Sequence, residues 1–367
     1  MEKIIITIPA IAQKKYPIYI GKNLLDKIST LIQFESYTKI IVLTDEIVAP
    51  IYLNTVLTSI PNTAKSIIIP SGENNKNIDT LQFIWKKLLQ IGADRKSLLI
   101  NLGGGVIGDI GGFSASTFMR GIDFINIPTT LLAQVDESVG GKTMIDFANI
   151  KNIVGTFYQP TAVLFDIQTL QTLPQNQFLS GFAEIIKHGI IKDKTYFDLV
   201  TSKKPTAFTD DEIIAIITKS CELKAEIVQE DEKESSTRKL LNFGHTIGHA
   251  VEAISLETDK PLLHGEAVSI GMVAEAVLAN KIGLLATSDT EIIKKSLLNA
   301  GLPTDIPDYE LAQIIKKMRS DKKNIDDIIN FTLITQIGNG IINQSVSDKI
   351  LTECIKSLQA NNINSKK

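Results

Sequence analysis

His245 and His249 stand four residues apart in Asn242-Phe-Gly-His-Thr-Ile-Gly-His-Ala-Val-Glu252, and they are two of only four histidines in 367 residues. Imidazoles at i and i+4 on one helix face commonly share a metal ion, and a carboxylate would complete three ligands while leaving zinc an open position. Glu184, in Glu184-Ile-Ile-Lys-His188, and His264, in His264-Gly-Glu-Ala267, are the further candidates. Glu184, His245, His249 and His264 therefore form a set with one member more than three-ligand zinc needs. Arg238 precedes Asn242 by four and Asn242 precedes His245 by three, so a continuous helix from Lys239 to Ile254 would align Arg238, Asn242, His245 and His249 on nearly one face. Leu240, Leu241, Phe243 and Ile247 are apolar enough to bury the other side. A titratable stripe on a buried helix is costly unless satisfied, which favours a functional face. Glu184 and Lys187 by themselves read as well as an exposed i, i+3 ion pair.

A second chemistry is written in Asn101-Leu-Gly-Gly-Gly-Val-Ile-Gly-Asp-Ile-Gly-Gly112, which follows an apolar strand pattern and opens a helix. Glycines let a phosphate approach the backbone there, and the helix N-terminus supplies amides and a positive dipole end. Gly103, Gly105 and Gly108 satisfy G-x-G-x-x-G. The motif lies on a later strand and the strand-end carboxylate, Asp45, lies upstream, so spacing alone does not name a dinucleotide. Thr129 and Thr130 end the next strand and could equally cap a helix. Gly140-Gly141-Lys142, with Lys151-Asn152 downstream, offers lysines on flexible turns suited to an anionic group.

These residues need elements to hold them. The first ~170 residues alternate short apolar runs, such as Lys39 to Thr44, Ser66 to Ile69, Ser97 to Leu102, Phe124 to Ile127 and Ala162 to Phe165, with helical stretches such as Ile78 to Ile91. That pattern predicts a parallel sheet covered on both faces. Ile4 to Ile8 and Tyr16 to Ile20 read as two strands joined by a turn at the sheet edge. Beyond Leu173-Pro174, helical periodicity dominates over Phe182 to Ile191, Glu212 to Glu230, Lys239 to Ile254, Gly265 to Ala279 and Ser347 to Leu358, with only Ile329 to Ile334 ambiguous. Thr209-Asp-Asp-Glu212 reads as a capping box. The expectation is a Rossmann-like α/β domain over 1–175 followed by an all-α domain over 176–367.

Composition, at 44% hydrophobic and 22% charged with net charge −3, suggests neither a nucleic-acid partner nor a membrane surface. No apolar run is long enough to span a bilayer, and the alternating stretch after Met1 is unlike a signal peptide, so a cytoplasmic protein is expected. Cys221 and Cys354 lie far apart and near no histidine, which leaves metal binding to histidine and carboxylate.

Taken together, Gly103 to Asp109, Phe118-Met-Arg-Gly121, Pro128 to Asp136, Ser138-Val-Gly-Gly-Lys142, Gly155-Thr-Phe-Tyr-Gln-Pro160, Ala183 to Lys187, Leu241 to His249 and His264 to Val268 closely resemble the 3-dehydroquinate synthase family, in order from about residue 40 to about 340. The resemblance implies an NAD- and zinc-dependent lyase, with cobalt a possible substitute. Such an enzyme converts 3-deoxy-D-arabino-heptulosonate 7-phosphate to 3-dehydroquinate and phosphate by transient oxidation, β-elimination, reduction and aldol closure. It places zinc on Glu184, His245 and His264, which leaves His249 to the substrate. It places NAD on Asp45, on Ser71, Gly72, Glu73 and Lys76, and on the turn Gly103, Gly104, Gly105, Val106, Ile107, Gly108 and Asp109. Thr129, Thr130, Lys142, Lys151, Thr169, Leu170, Gln171 and Thr172 complete that site.

The same resemblance assigns substrate contacts to Lys142, Lys151, Asn152, Lys187, Lys224, Arg238 and Asn242, with Lys322 or Lys323 joining them and Asp136 and Glu234 as polar neighbours. Arg120 would reach across a homodimer interface to the substrate phosphate. Three positions depart from the family pattern: Ile150 and Ser236 stand where glycine is usual, and His188 where tyrosine is frequent. The competing expectations are another sugar-phosphate cyclase with the same cofactors, such as a 2-deoxy-scyllo-inosose or valiolone-type synthase, or a metal-dependent polyol dehydrogenase. A cofactor-binding protein without activity is a third.

Overall fold

A computed structural model describes residues 14–148, 150–319 and 329–364. The apolar runs of the first half form strands β1 (Ile18–Gly21), β2 (Lys39–Asp45), β3 (Lys65–Ile69), β4 (Ser97–Gly103), β5 (Asp123–Pro128) and β8 (Ala162–Asp166). They make one sheet in the order β1-β8-β5-β4-β2-β3, with every pairing parallel. A hairpin of β6 (Lys142–Phe147) and β7 (Ile150–Phe157) stands outside it.

Alternation along the strands explains why both faces are covered. Ile41, Leu43 and Leu99 enter one cluster with Leu81, Ile84 and Leu88 of α3 (Ile78–Ile91) and Ile107, Ile110 and Phe113 of α4 (Gly105–Thr117). Ile40, Val42, Leu98 and Ile100 enter another, with Ile28 of α1 (Ile28–Leu31) and Val56 of α2 (Asn54–Thr58). After β2 the chain moves out to β3, then returns to β2's other side as β4. The crevice between the carboxyl ends of β2 and β4 is thus the switch point where α/β sheets bind ligands, and Asp45 and Gly103 end those two strands.

The second half comprises α5 (Gln175–Lys192), α6 (Lys194–Val200), α7 (Asp210–Glu230), α8 (His245–Ser255), α9 (His264–Lys281), α10 (Thr287–Asn299), α11 (Leu311–Arg319) and α12 (Asp348–Asn364). Thr209 and Glu212 form the capping box expected at the start of α7. Val163 and Phe165 of β8 belong to the same buried cluster as helical side chains such as Phe182 and Ile185, so this part of the sheet and the helices share one interior.

Two expectations are revised, and a third falls partly outside the described residues. The ambiguous segment is a strand, β9 (Asn330–Gln336), paired antiparallel with β10 (Asn339–Ser345), a small hairpin within the helical half. β1 holds the expected place at the sheet edge, paired in parallel with β8, and its expected strand partner Ile4 to Ile8 lies outside the described residues. The helix expected from Lys239 to Ile254 is broken. Thr237–Asn242 is a 3-10 turn, Phe243 is extended, and α8 begins only after Gly244, whose φ of 81° is left-handed.

Candidate active site

The start of α8, the start of α9 and the middle of α5 converge. His245 is the first residue of α8, His249 lies one turn along, and His264 is the first residue of α9. Their ring centroids stand 5.0, 5.4 and 5.8 Å apart. Glu184 of α5 brings Oε1 to 3.7 Å from His245 Nε2 and 3.6 Å from His264 Nε2. The Glu184 carboxylate is fully buried, with Lys187 as its ion-pair partner and the two imidazoles beside it. His245 Nδ1 lies 3.1 Å from the Phe243 carbonyl, which directs Nε2 toward the cluster.

Burial opposes charge on His264, but Glu184 and Glu252 on its two sides raise its pKa to about 10. The carboxylates of Glu184 and Glu252, on the two sides of His264, favour positive charge at this point. Three imidazoles and a buried carboxylate fit a tetrahedral divalent cation of borderline softness. The residues fit zinc.

A second convergence among the described residues, Asp136 with Glu184 and His188, is already filled by ammonium groups. Lys187 pairs with Glu184, and Lys224 pairs with Asp136. Burial opposes ionisation of Asp136, yet Lys224 and Lys187 hold it well below the usual carboxylate range. Burial and the Lys187 charge push His188 down to about 3, so it sits neutral with Nδ1 2.7 Å from Ser220 Oγ.

The break at Gly244 separates Arg238 and Asn242 from the face of α8, contrary to the single-stripe expectation. Other contacts return them to the site. Asn242 donates to Glu234 at 2.8 Å, and Lys142 from β6 pairs with the same carboxylate. Arg238 is buried, donates to the Glu232 and Gly140 carbonyls at 2.5 and 3.3 Å, and lies over the Phe157 ring of β7. Lys151 Nζ lies 2.9 Å from Glu252 Oε1. Asn152 donates its amide to Asp146 at 2.7 Å. Ser236 has a negative φ and Ile150 is absent from the left-handed residues, so neither position needs the glycine usual in the family.

The glycine turn lies as expected at the end of β4. Gly104 caps α4, and Thr129 donates its amide to the Gly103 carbonyl at 2.9 Å. Nothing lies within 4 Å of where a Cβ on Gly108 would sit, whereas one on Gly105 would fall 1.8 Å from a Glu137 oxygen. Burial and Asp109 push Glu137 up to about 8. Asp109 itself is pushed by burial to about 7 despite Lys76 nearby. Burial raises both carboxyls and so lessens the negative charge beside the turn, whose amides open α4, and the cradle fits a dinucleotide's pyrophosphate.

Lys76 is buried between Glu73 at 2.6 Å and Asp109 at 3.3 Å. Asp45 accepts the amides of Ile47 and Val48, and Ser71 and Gly72 lie on the adjoining loop after β3. Thr130 accepts the Ala133 amide and so also serves as a cap. Thr169 to Gln171 lie in a 3-10 turn, with Thr169 accepting from Gln134 and Thr172 2.5 Å from the Tyr52 hydroxyl.

Arg120 is exposed and left-handed, at φ 69°, after α4. Lys322 and Lys323 lie outside the described residues. Sequence reasoning missed Glu252, whose Oε2 stands 3.1 Å from His264 Nδ1. Its place seven residues beyond His245, on the same helical face, was a signal that could have found it. Glu137 and Ser220 carried no comparable signal, because their roles come from burial against distant elements.

The family described as 3-dehydroquinate synthase N-terminal matches residues 66–180, and that described as 3-dehydroquinate synthase C-terminal matches residues 181–324. The 3-dehydroquinate synthase of Thermodesulfovibrio yellowstonii is 42% identical over 352 residues, covering 94% of this chain and 98% of that one. Among solved structures, 2-epi-5-epi-valiolone synthase from Streptomyces hygroscopicus subsp. jinggangensis, with NAD+ and Zn2+ bound, superposes with TM-score 0.85 at 24% identity, over 97% of this chain and 99% of that one. A 2-deoxy-scyllo-inosose synthase complexed with carbaglucose-6-phosphate, NAD+ and Co2+ superposes with TM-score 0.84 at 23% identity, over 93% and 96% of the two chains. With both halves matched and a relative of this identity over nearly its whole length, the chain belongs to the 3-dehydroquinate synthase family.

Proposed function

We propose that the chain is a phosphate-eliminating carbon–oxygen lyase that converts 3-deoxy-D-arabino-heptulosonate 7-phosphate to 3-dehydroquinate and phosphate, with NAD and a divalent metal, zinc or cobalt, as resident groups. The observation that carries this reading is the meeting of His245, His249, His264 and Glu184 beside a lining of buried cations, at residues carrying the family's motifs. Zinc on Glu184, His245 and His264 would acidify a bound hydroxyl, and NAD at the Gly103–Gly108 turn would accept and return a hydride.

The chain's own residues do the rest. Lys142, Lys187, Lys224 and Lys151 are each paired to a carboxylate, with Glu234, Glu184, Asp136 and Glu252 respectively. A substrate carrying a carboxylate and a phosphate exchanges those partners for its own anions, while Arg238 and Asn242 supply planar donors that fix its orientation. His249, next to the ligand pair, holds a proton within reach of the leaving group. Burial of Glu184, Lys187 and His188 keeps water from this side of the site.

The division into an NAD-binding half over 1–175 and a metal- and substrate-binding half over 176–367 follows the same assignment. A homodimer accounts for the exposed apolar side chains Phe147, Ile150, Ile153, Val154 and Phe157 on the β6–β7 hairpin and for the exposed Arg120. Among the described residues no helix is long and apolar enough to cross a membrane. We place the enzyme in the cytoplasm.

Purified protein incubated with the heptulosonate phosphate, catalytic NAD+ and zinc should release phosphate with no net NADH. Net NADH, up to the NAD+ supplied, without phosphate would instead identify a polyol dehydrogenase. Phosphate release from a hexose phosphate but not from the heptulosonate would identify a different cyclase.

A further inference from the structure

Helix α8 opens without a capping side chain of its own. Its N-cap is Gly244, so no side chain there accepts from the first amides. The acceptor comes from a different helix. Glu275 of α9, fully buried, takes the amides of Gly244 at 2.6 Å, Thr246 at 3.0 Å and Ile247 at 3.2 Å. A buried carboxylate is tolerated where backbone amides and the positive end of a helix dipole satisfy it. The residue enclosed by those amides is His245.

Glu275 also lies eleven residues beyond His264 on the same helix (275 − 264 = 11), about three turns. One helix therefore starts with one imidazole and, through Glu275, grips the turn that presents another. The two helices touch backbone to backbone in between. A Cβ on Gly271 of α9 would fall 1.8 Å from the Gly244 carbonyl oxygen, and one on Gly248 of α8 would fall 2.8 Å from that of Ala267. With the crossing this close, the offset between His245 and His264 is set by what anchors the first turn of α8.

We propose that Glu275 is a positioning residue for the metal site. It fixes the offset of His245 from His264, and its charge offsets the positive end of α8, which would otherwise repel a dication held at the helix's first residue. The inference rests on reading the histidine cluster as a metal site.

Metal titration of the full chain after chelator treatment tests it. Glu275→Gln keeps the side-chain length and one carbonyl acceptor but loses the charge. Its affinity for Zn2+, measured by competition with a chromophoric chelator, should fall about 10- to 100-fold, and the absorption bands of its Co2+ form should shift. Glu275→Asp, which keeps the charge, should retain more affinity than Glu275→Ala and serves if the glutamine variant folds poorly. Leu88→Ala, in the buried face of α3, is the control: it should lower thermal stability and leave metal affinity unchanged. The proposal is overturned if Glu275→Gln loses stability like the control but binds Zn2+ with wild-type affinity and an unshifted Co2+ spectrum. A wild-type chain that binds neither ion would overturn the metal reading itself, a result independent of any change at Glu275.

Discussion

His264 Nδ1 stands 3.1 Å from Glu252 Oε2, and the other oxygen of that carboxylate is 2.9 Å from Lys151 Nζ. Burial opposes charge on Glu252, yet His264 and Lys151 hold it well below the usual carboxylate range. The contact orients the ring so that Nε2 faces Glu184, and it ties the β6–β7 hairpin to the histidine cluster. Replacing Glu252 by Gln should weaken zinc binding by about 10- to 100-fold, read by chelator competition. Retention of wild-type affinity would show that the contact is incidental.

His245 and His249 should separate by function. His245→Ala should lose zinc, measured as bound metal per chain, whereas His249→Ala should keep zinc and lose turnover. Loss of metal in both would return the pair to the shared-ligand reading that i, i+4 spacing suggests.

His188 predicts a pH dependence in the metal-free chain. Its folded pKa is about 3, below the ordinary histidine value of about 6.5. Between those values the unfolded chain binds a proton that the folded chain does not, so stability rises with pH across the window and falls as pH drops from about 6.5 toward 3. The limiting slope is about 1.4 kcal/mol per pH unit. Melting temperatures at pH 7 and pH 5 should therefore differ more in the wild type than in His188→Gln. Equal differences would mean that His188 is not held neutral.

Gly271→Ala should destabilise the chain by about 1–3 kcal/mol, because the added Cβ meets the Gly244 carbonyl at 1.8 Å and backbone cannot yield as a side-chain end can. Chemical denaturation measures the loss. Gly108→Ala has open space around it and should change stability far less.

Much of the site was legible before any coordinates, for reasons that are local. The Gly103–Gly108 turn follows from a buried apolar strand running into a helix start. The start of α7 follows from Thr209 and Glu212, three residues apart. The alternation of Ile40, Ile41, Val42 and Leu43 between two cores is a period-2 pattern that any register would keep. Motif order identified the family, and the chemistry of histidine, carboxylate and lysine limited what the site could hold.

The break before α8 was not legible from periodicity. Apolar spacing continues through Asn242-Phe243-Gly244, but Gly244 takes a left-handed φ, and α9 lies so close that a Cβ there would fall 2.6 Å from Met272 Cγ and 2.9 Å from the Val268 carbonyl oxygen. Which partner neutralises each lysine, and that Glu252 and Glu275 stand behind the histidines, is equally a tertiary matter. By itself the sequence determined most of the strands and helices, the family and the inventory of reactive groups, since those are carried by local pattern and motif. Only the tertiary structure decided which groups meet, because burial, pKa and ligand spacing arise from contacts between segments as far apart as Lys151 and Glu252 or Glu184 and His264.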